Sequence, residues 1–139
     1  MLKKITFILI LFFHLSYLNA EVVKEIQISG NQRVSDETVK VYGDIEINKN
    51  YNELDLNNIL KNLNSTNFFE DIKISLEQNI LKIDLVEYPV INQLILVGEP
   101  SKKYSEQIKK LMGLKEKQSF VKSFLSKDIE LIKNLYSTI

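Results

Sequence analysis

The chain has no cysteine and a single histidine in 139 residues. Without thiols it forms no disulfide, builds no thiolate metal site and supports no Cys–His catalysis. The histidine, His14, lies in an N-terminal apolar stretch, so the rest of the chain offers no imidazole for proton transfer. Glycine is scarce as well. Gly30, Gly43, Gly98 and Gly113 are too scattered for a phosphate-cradling loop. Neither sign of charge dominates: 18 Lys plus Arg balance 18 Asp plus Glu. No clustered basic face points to nucleic acid. The acids Glu70, Asp71, Asp128 and Glu130 are expected on solvated faces without partners. These absences leave no catalytic constellation. No enzyme, cofactor, metal or small-molecule substrate is expected. The hydrophobic share of 45% is that of an ordinary globular chain.

The first twenty residues differ from the rest. Met1–Lys4 is short and basic, Ile5–Phe13 (ITFILILFF) is apolar, and Leu18-Asn19-Ala20 ends on a small residue. That is the plan of a secretory signal peptide over residues 1–20, with a mature start at Glu21. The stretch from Ile5 to Leu18 is shorter than the ~17–25 residues a spanning helix needs. An uncleaved anchor is the other reading of this segment. Loss of Lys3 and Lys4 leaves a slightly acidic secreted chain.

Hydrophobic periodicity organises the remainder of the chain. Val22–Ser29 (VVKEIQIS) alternates and predicts a strand, with Ile26 and Ile28 on one face and Gly30-Asn31 as its turn. Ser35 is a candidate cap for a short helix with Asp36 and Glu37 in its first turn and Gly43 as its stop. Residues 45–51 read as loop. Asn52 is a candidate cap for a second helix whose stripe is Leu56, Ile59, Leu60 and Leu63. Residues 71–76 (DIKISL) and 80–87 (ILKIDLVE) alternate on either side of Gln78-Asn79, which predicts a hairpin closed by Tyr88-Pro89. Strand, helix, helix, strand, strand is an α+β unit: a small sheet with both helices on one side.

The pattern then restarts. Ile26, Ile28 and Gly30 recur as Leu94, Leu96 and Gly98, each sixty-eight residues on. Residues 92–97 (NQLILV) predict a strand. Tyr104-Ser105-Glu106 is expected to open a helix that Gly113 stops. Ser123 or Ser126 is expected to cap a second, with a stripe of Leu125, Ile129, Ile132 and either Leu135 or Tyr136. LKNLNST (60–66) and IKNLYST (132–138) then become the same helix end in two tandem units, with Leu63 and Leu135 facing a sheet. No hairpin comes after the second copy. The chain is therefore expected to be a fragment, in which residues 21–90 unfold cooperatively and residues 91–139 alone do not.

The ordered set Ile26-Gln27-Ile28-Ser29-Gly30-Asn31-Gln32-Arg33-Val34-Ser35, Lys61-Asn62-Leu63, Asn67-Phe68-Phe69-Glu70-Asp71-Ile72 and Val86-Glu87-Tyr88-Pro89 resembles a POTRA (polypeptide-transport-associated) domain of the BamA family of outer-membrane protein assembly factors. The resemblance covers residues 22–139: a first POTRA domain at 22–89 and a partial second at 90–139 lacking its last two strands. The second unit departs from the pattern, with Gly98-Glu99-Pro100 in place of Gly30-Asn31-Gln32 and no arginine after it. The resemblance implies a three-stranded mixed sheet with two helices on one face. It also implies a place at the periplasmic face of the cell outer membrane. Its implied partners are unfolded outer-membrane proteins, accessory lipoproteins and, through a C-terminal barrel absent here, the outer membrane. A two-partner secretion or autotransporter-assembly transporter is the alternative within the class, and a single-POTRA cell-division adaptor the alternative outside it.

Four stretches are candidate sites. The sheet order that the resemblance implies puts Asp71, Ile72, Lys73, Ile74, Ser75 and Leu76 on an edge. That strand either receives client segments by strand addition or is kept inert by Asp71 and Lys73. Pro89, Val90 and Ile91 are either an interdomain hinge or simple punctuation. Gly30–Arg33 reads as a surface contact or a strand-to-helix turn, with Arg33 placed to pair with an acid across it. Asn67-Phe68-Phe69 reads as an aromatic contact or a buried corner.

Overall fold

A hairpin joined by two residues in the left-handed region organises the chain. The computed structural model describes residues 21–137, so the signal-peptide reading of residues 1–20 lies outside the described residues. Strand β4 (Phe69–Glu77) turns through Gln78 (φ 53°) and Asn79 (φ 66°) into β5 (Ile80–Glu87). Two consecutive positive φ angles make a type I′ turn, whose twist matches that of the strands it joins. Strand β2 (Glu25–Ser29) pairs in parallel with β5 on its other side, giving the order β2-β5-β4. Register places Ile26, Leu81 and Leu76 in one row, Ile28, Ile83 and Ile74 in the next, then Leu85 beside Ile72. The other face carries Gln27, Lys82 and Ser75, then Ser29, Asp84 and Lys73. Two helices, α1 (Asp36–Gly43) and α2 (Glu53–Ser65), cover the apolar face. Their Val39, Ile59 and Leu63 join Leu81, Ile83 and Leu85 in a single core, each stabilising the fold by about 1.5–3 kcal/mol. The result is the α+β unit that the periodicity predicts, with the mixed sheet that the resemblance implies.

Both helix starts are capped as expected. Ser35 Oγ accepts the Thr38 N–H at 3.2 Å. Asn52 and Asp55 exchange side-chain-to-backbone hydrogen bonds in a full capping box. The end of α1 differs from expectation. The left-handed residue is Asp44 (φ 55°), while Gly43 is still helical. A Cβ at Gly43 would lie 2.6 Å from Ile45 Cδ1, so a side chain there would require Ile45 to shift. The predicted strand 22–29 is also broken. β1 (Glu21–Val22) pairs antiparallel with β3 (Asn50–Tyr51), a two-residue strand within the stretch read as loop. Val23 is wholly buried at the break, and the next strand starts where Asn79 O accepts the Lys24 N–H. Burial of Tyr51 holds this arrangement, with its hydroxyl accepting the Glu46 N–H at 2.8 Å. At the 67–69 corner Asn67 is left-handed (φ 56°), Phe69 is buried, and Phe68 is half-buried with edge-on contacts to Tyr42 and Phe69.

Beyond β5 the chain forms α3 (Lys102–Leu111) and α4 (Lys122–Ser137). Four expectations fail here. Residues 92–97 form no strand. β2 exists because β5 lies beside it, and no strand lies beside 92–97 among the described residues. Ile95 and Val97 are accordingly 65% and 93% exposed. The cap of α3 is Ser101, whose Oγ accepts the Tyr104 N–H at 3.2 Å, so the helix begins before Ser105. Ser123 and Ser126 both lie inside α4 and cap nothing. Among the described residues Leu135 faces no sheet: it lies across from Tyr104 and Ile108 on α3. The glycines record the same difference. Gly30 (φ 81°) and Gly98 (φ 96°) share a left-handed backbone. A Cβ on Gly30 would strike the Leu85 carbonyl oxygen of β5 at 1.9 Å, whereas one on Gly98 would meet nothing within 4 Å.

Candidate functional site

The six residues singled out for client binding lie on β4, and β4 is an edge strand bonded to β5 on one side. Ile72, Ile74 and Leu76 are half-buried against the core. Asp71 and Lys73 are exposed on the solvent face and pair with each other at 3.8 Å. Ser75 sits opposite Lys82. The register slips between Phe69 and Asp71, so the irregularity falls at the start of the strand and leaves 71–77 straight. An edge of this kind presents alternate N–H and C=O groups to whatever lies beside it.

The proposed hinge residues are tied down. Phe120 N–H donates to Pro89 O at 2.7 Å, Ile91 N–H to Gln118 O at 2.8 Å, and Lys117 N–H to Ile91 O at 2.7 Å. Val90 and Ser119 form an antiparallel bridge within this short ladder. A cleft of about 360 Å³ separates the two parts, with Arg33, Asn67 and Phe68 on one wall and Lys117, Gln118 and Phe124 on the other.

Glu87 does not stand out as a site in the sequence, yet it joins two of the sequence motifs. Its Oε1 accepts the backbone N–H groups of Gln32, Arg33 and Val34 at 2.8, 2.9 and 3.0 Å. Its Oε2 lies 2.8 Å from Arg33 Nε, and Arg33 Nη2 donates to Tyr88 O at 2.7 Å. The Gly30–Arg33 stretch is thus a strand-to-helix turn, and Arg33 does pair with an acid across it. Burial pushes the Glu87 carboxyl upward, but the three N–H bonds and the Arg33 charge outweigh it and hold the group below its usual value of 4.5. Asp128 departs from expectation. Its sequence context places it on a solvated face, but it is 3% exposed, and its carboxylate accepts the N–H groups of Gly113 at 2.6 Å and Leu114 at 2.9 Å. An acid beside an apolar helix stripe looks solvated in sequence. Only the fold shows that the stripe covers the end of α3, where those N–H groups need an acceptor. No group of three or more His, Cys, Asp or Glu placed to hold a metal occurs among the described residues, nor is any helix there long and apolar enough to cross a membrane.

Residues 22–88 match the family model of the POTRA domain, FtsQ-type. The chain is 33% identical over 88 residues to the outer membrane protein assembly factor BamA of Neorickettsia risticii, covering 63% of this chain and 12% of that protein. It is 27% identical over 117 residues to BamA of Neisseria meningitidis serogroup B, covering 82% of this chain and 15% of that protein. The BamA of Buchnera aphidicola aligns along 100% of the chain at 30% identity, with 23% of that protein covered. The chain thus spans less than a quarter of the length of these relatives. Among solved structures, the N-terminal domain of Omp85 from Thermosynechococcus elongatus aligns with a TM-score of 0.60 at 14% identity, over 86% of this chain and 52% of that one. POTRA1-2 of the periplasmic domain of Omp85 from Anabaena aligns with a TM-score of 0.56 at 14% identity, over 86% of this chain and 80% of that one. At that identity the structures speak for the fold alone. Topology, motif order and sequence likeness agree: residues 22–88 match the POTRA-domain family, and the chain is similar to regions of the BamA and Omp85 assembly factors.

Proposed function

We propose that the chain is the POTRA region of an outer-membrane protein assembly factor, working at the periplasmic face of the outer membrane. On this reading residues 22–89 are a first POTRA domain and residues 90–139 part of a second. Unfolded outer-membrane proteins add to β4 as an extra strand, accessory lipoproteins dock on the same region, and clients pass to a C-terminal barrel. The observation that carries the proposal is the nine-residue edge strand, bonded along one side only. Strand addition is held by backbone hydrogen bonds and asks little of the added sequence, which suits a receiver of many clients. On this reading Asp71 and Lys73, which pair with each other at 3.8 Å on the solvent face, offset each other's charge beside the edge.

The test is a nuclear magnetic resonance titration of the isotope-labelled chain with nine-residue alternating strand peptides. Amide shifts concentrated on residues 71–76 are expected. A peptide N-methylated on alternate residues, which cannot form the ladder, should leave them unmoved. Shifts that gather elsewhere, or that persist with the N-methylated peptide, would defeat the proposal.

A further inference from the structure

A cleft of about 300 Å³ opens at the hairpin end of β4, lined by Glu21, Tyr51, Asn52, Glu53, Leu56 and Leu76. It has apolar walls from Leu56 and Leu76, and its two ionisable carboxyl groups give it acidic character. One of them stands out. Glu21 Oε2 is buried and has no hydrogen-bond partner. A buried polar atom without a partner costs free energy, and the cost is larger for a charged oxygen. The nearby base does not supply one. Lys49 lies 5.5 Å from the centre of the Tyr51 ring, but its ammonium is paired with Asp44 at 3.6 Å. No hydrogen bond from Asn52 reaches it: the Asn52 N–H and side-chain oxygen are taken up in the capping box with Asp55.

Geometry connects this cleft to the edge strand. Leu76 faces the core in register with Leu81. A strand added beside β4 lies about 4.8 Å away, with residues that share a row pointing to the same face. The residue beside Leu76 on such a strand therefore enters the cleft between Leu56 and Glu21. Resting on the strand-addition reading above, we propose that this cleft selects the added strand, favouring a lysine or arginine at the position beside Leu76. The aliphatic stem would lie along Leu56 and Leu76, and the cationic head would donate to Glu21 Oε2. One such position in an otherwise sequence-tolerant ladder also fixes the register, because a slip by one residue turns the cation to the solvent face.

The experiment scans a single lysine through successive positions of an alternating nine-residue peptide and measures affinity for the chain by fluorescence anisotropy. Amide shifts on β4 are recorded in parallel. One position should bind about five- to tenfold more tightly than its neighbours, as a charge-assisted hydrogen bond would give. Glu21→Gln should flatten the scan while leaving β4 shifts and the circular dichroism spectrum unchanged. Norleucine at the favoured position should lose the gain, separating the cation from its stem. A flat scan with β4 shifts intact would overturn the selectivity and leave strand addition standing. A peak that survives Glu21→Gln would overturn the role of Glu21. Loss of β4 shifts for all peptides would overturn both readings.

Discussion

Replacing Glu87 by glutamine tests whether one carboxylate holds the first unit closed. The substitution keeps size and shape but removes the charge. In the native unit three backbone N–H groups converge on one oxygen, and the side chain is only 8% exposed. A hydrogen bond to a charged acceptor contributes roughly 1.5–3 kcal/mol and a neutral one about 1 kcal/mol, so three bonds weakened together cost about 3 kcal/mol. The Arg33 ion pair adds little, about 0–1 kcal/mol, because Arg33 is 45% exposed and screened. In urea unfolding near neutral pH, Glu87→Gln should therefore lose about 3 kcal/mol. In thermal unfolding this corresponds to a drop on the order of 10 °C or more for a unit of this size. The pH dependence carries the mechanism. The folded carboxyl titrates below the unfolded value of 4.5. Its contribution is thus complete above that value and is lost as pH falls through the folded pKa. The gap between wild type and Glu87→Gln should hold from about pH 7 to pH 5 and shrink below about pH 4. A gap under about 1 kcal/mol at neutral pH, or one that does not narrow in acid, would refute the reasoning.

The same contacts give three further expected outcomes. Gly30→Ala should unfold the first unit or cost more than about 3 kcal/mol, since its Cβ meets the Leu85 carbonyl at 1.9 Å. Gly98→Ala, with the same backbone but open space, should cost only the backbone strain of about 1–2 kcal/mol. Urea midpoints measured side by side decide it. Asp128→Ala should leave the Gly113 and Leu114 N–H groups without their acceptor, and hydrogen exchange should show those two amides losing protection ahead of the rest of the chain. Leu63→Ala, at a fully buried core position, should cost about 2–5 kcal/mol, while Leu135→Ala, half-buried between two helices, should cost less than half as much by chemical denaturation.

The first unit is legible because its signals are local. Period-two alternation marks both strands of the hairpin, and Gln78-Asn79 marks a turn that needs two positive φ angles. Ser35 and Asn52 act within three residues of themselves, so their caps can be read from spacing. What the sequence hides depends on distant partners. Residues 92–97 alternate as well as 24–29 do, but alternation states only which residues would share a face. A strand also needs a neighbour, and β2 finds its own some fifty-five residues later. Ser101 does not stand out as a cap because Tyr104-Ser105-Glu106 looks like Val34-Ser35-Asp36 and draws the helix start to Ser105. Proline at 100 and the Glu99 carboxylate on the Ser101 N–H set the helix start three or four residues earlier. Glu87 and Asp128 look like ordinary surface acids in sequence, and nothing local announces the backbone N–H groups that they satisfy from more than a dozen residues away. The edge position of β4 comes from the resemblance rather than from its own residues, since sheet order is not written in periodicity.

The ladder between residues 89–91 and 117–120 has a mechanical consequence. A flexible tether between two units takes up displacement as slack and passes on little force. Here the chain leaves the central strand at Glu87, and Arg33 holds the next carbonyl, that of Tyr88. Within two residues the chain is fastened to the loop ahead of α4. A pull on α4 therefore loads the Phe120–Pro89 bond first and runs straight into β5, the strand on which both neighbours of the sheet depend. Separating the second part from the first along this path must open the ladder bond by bond, beginning at the Pro89 carbonyl.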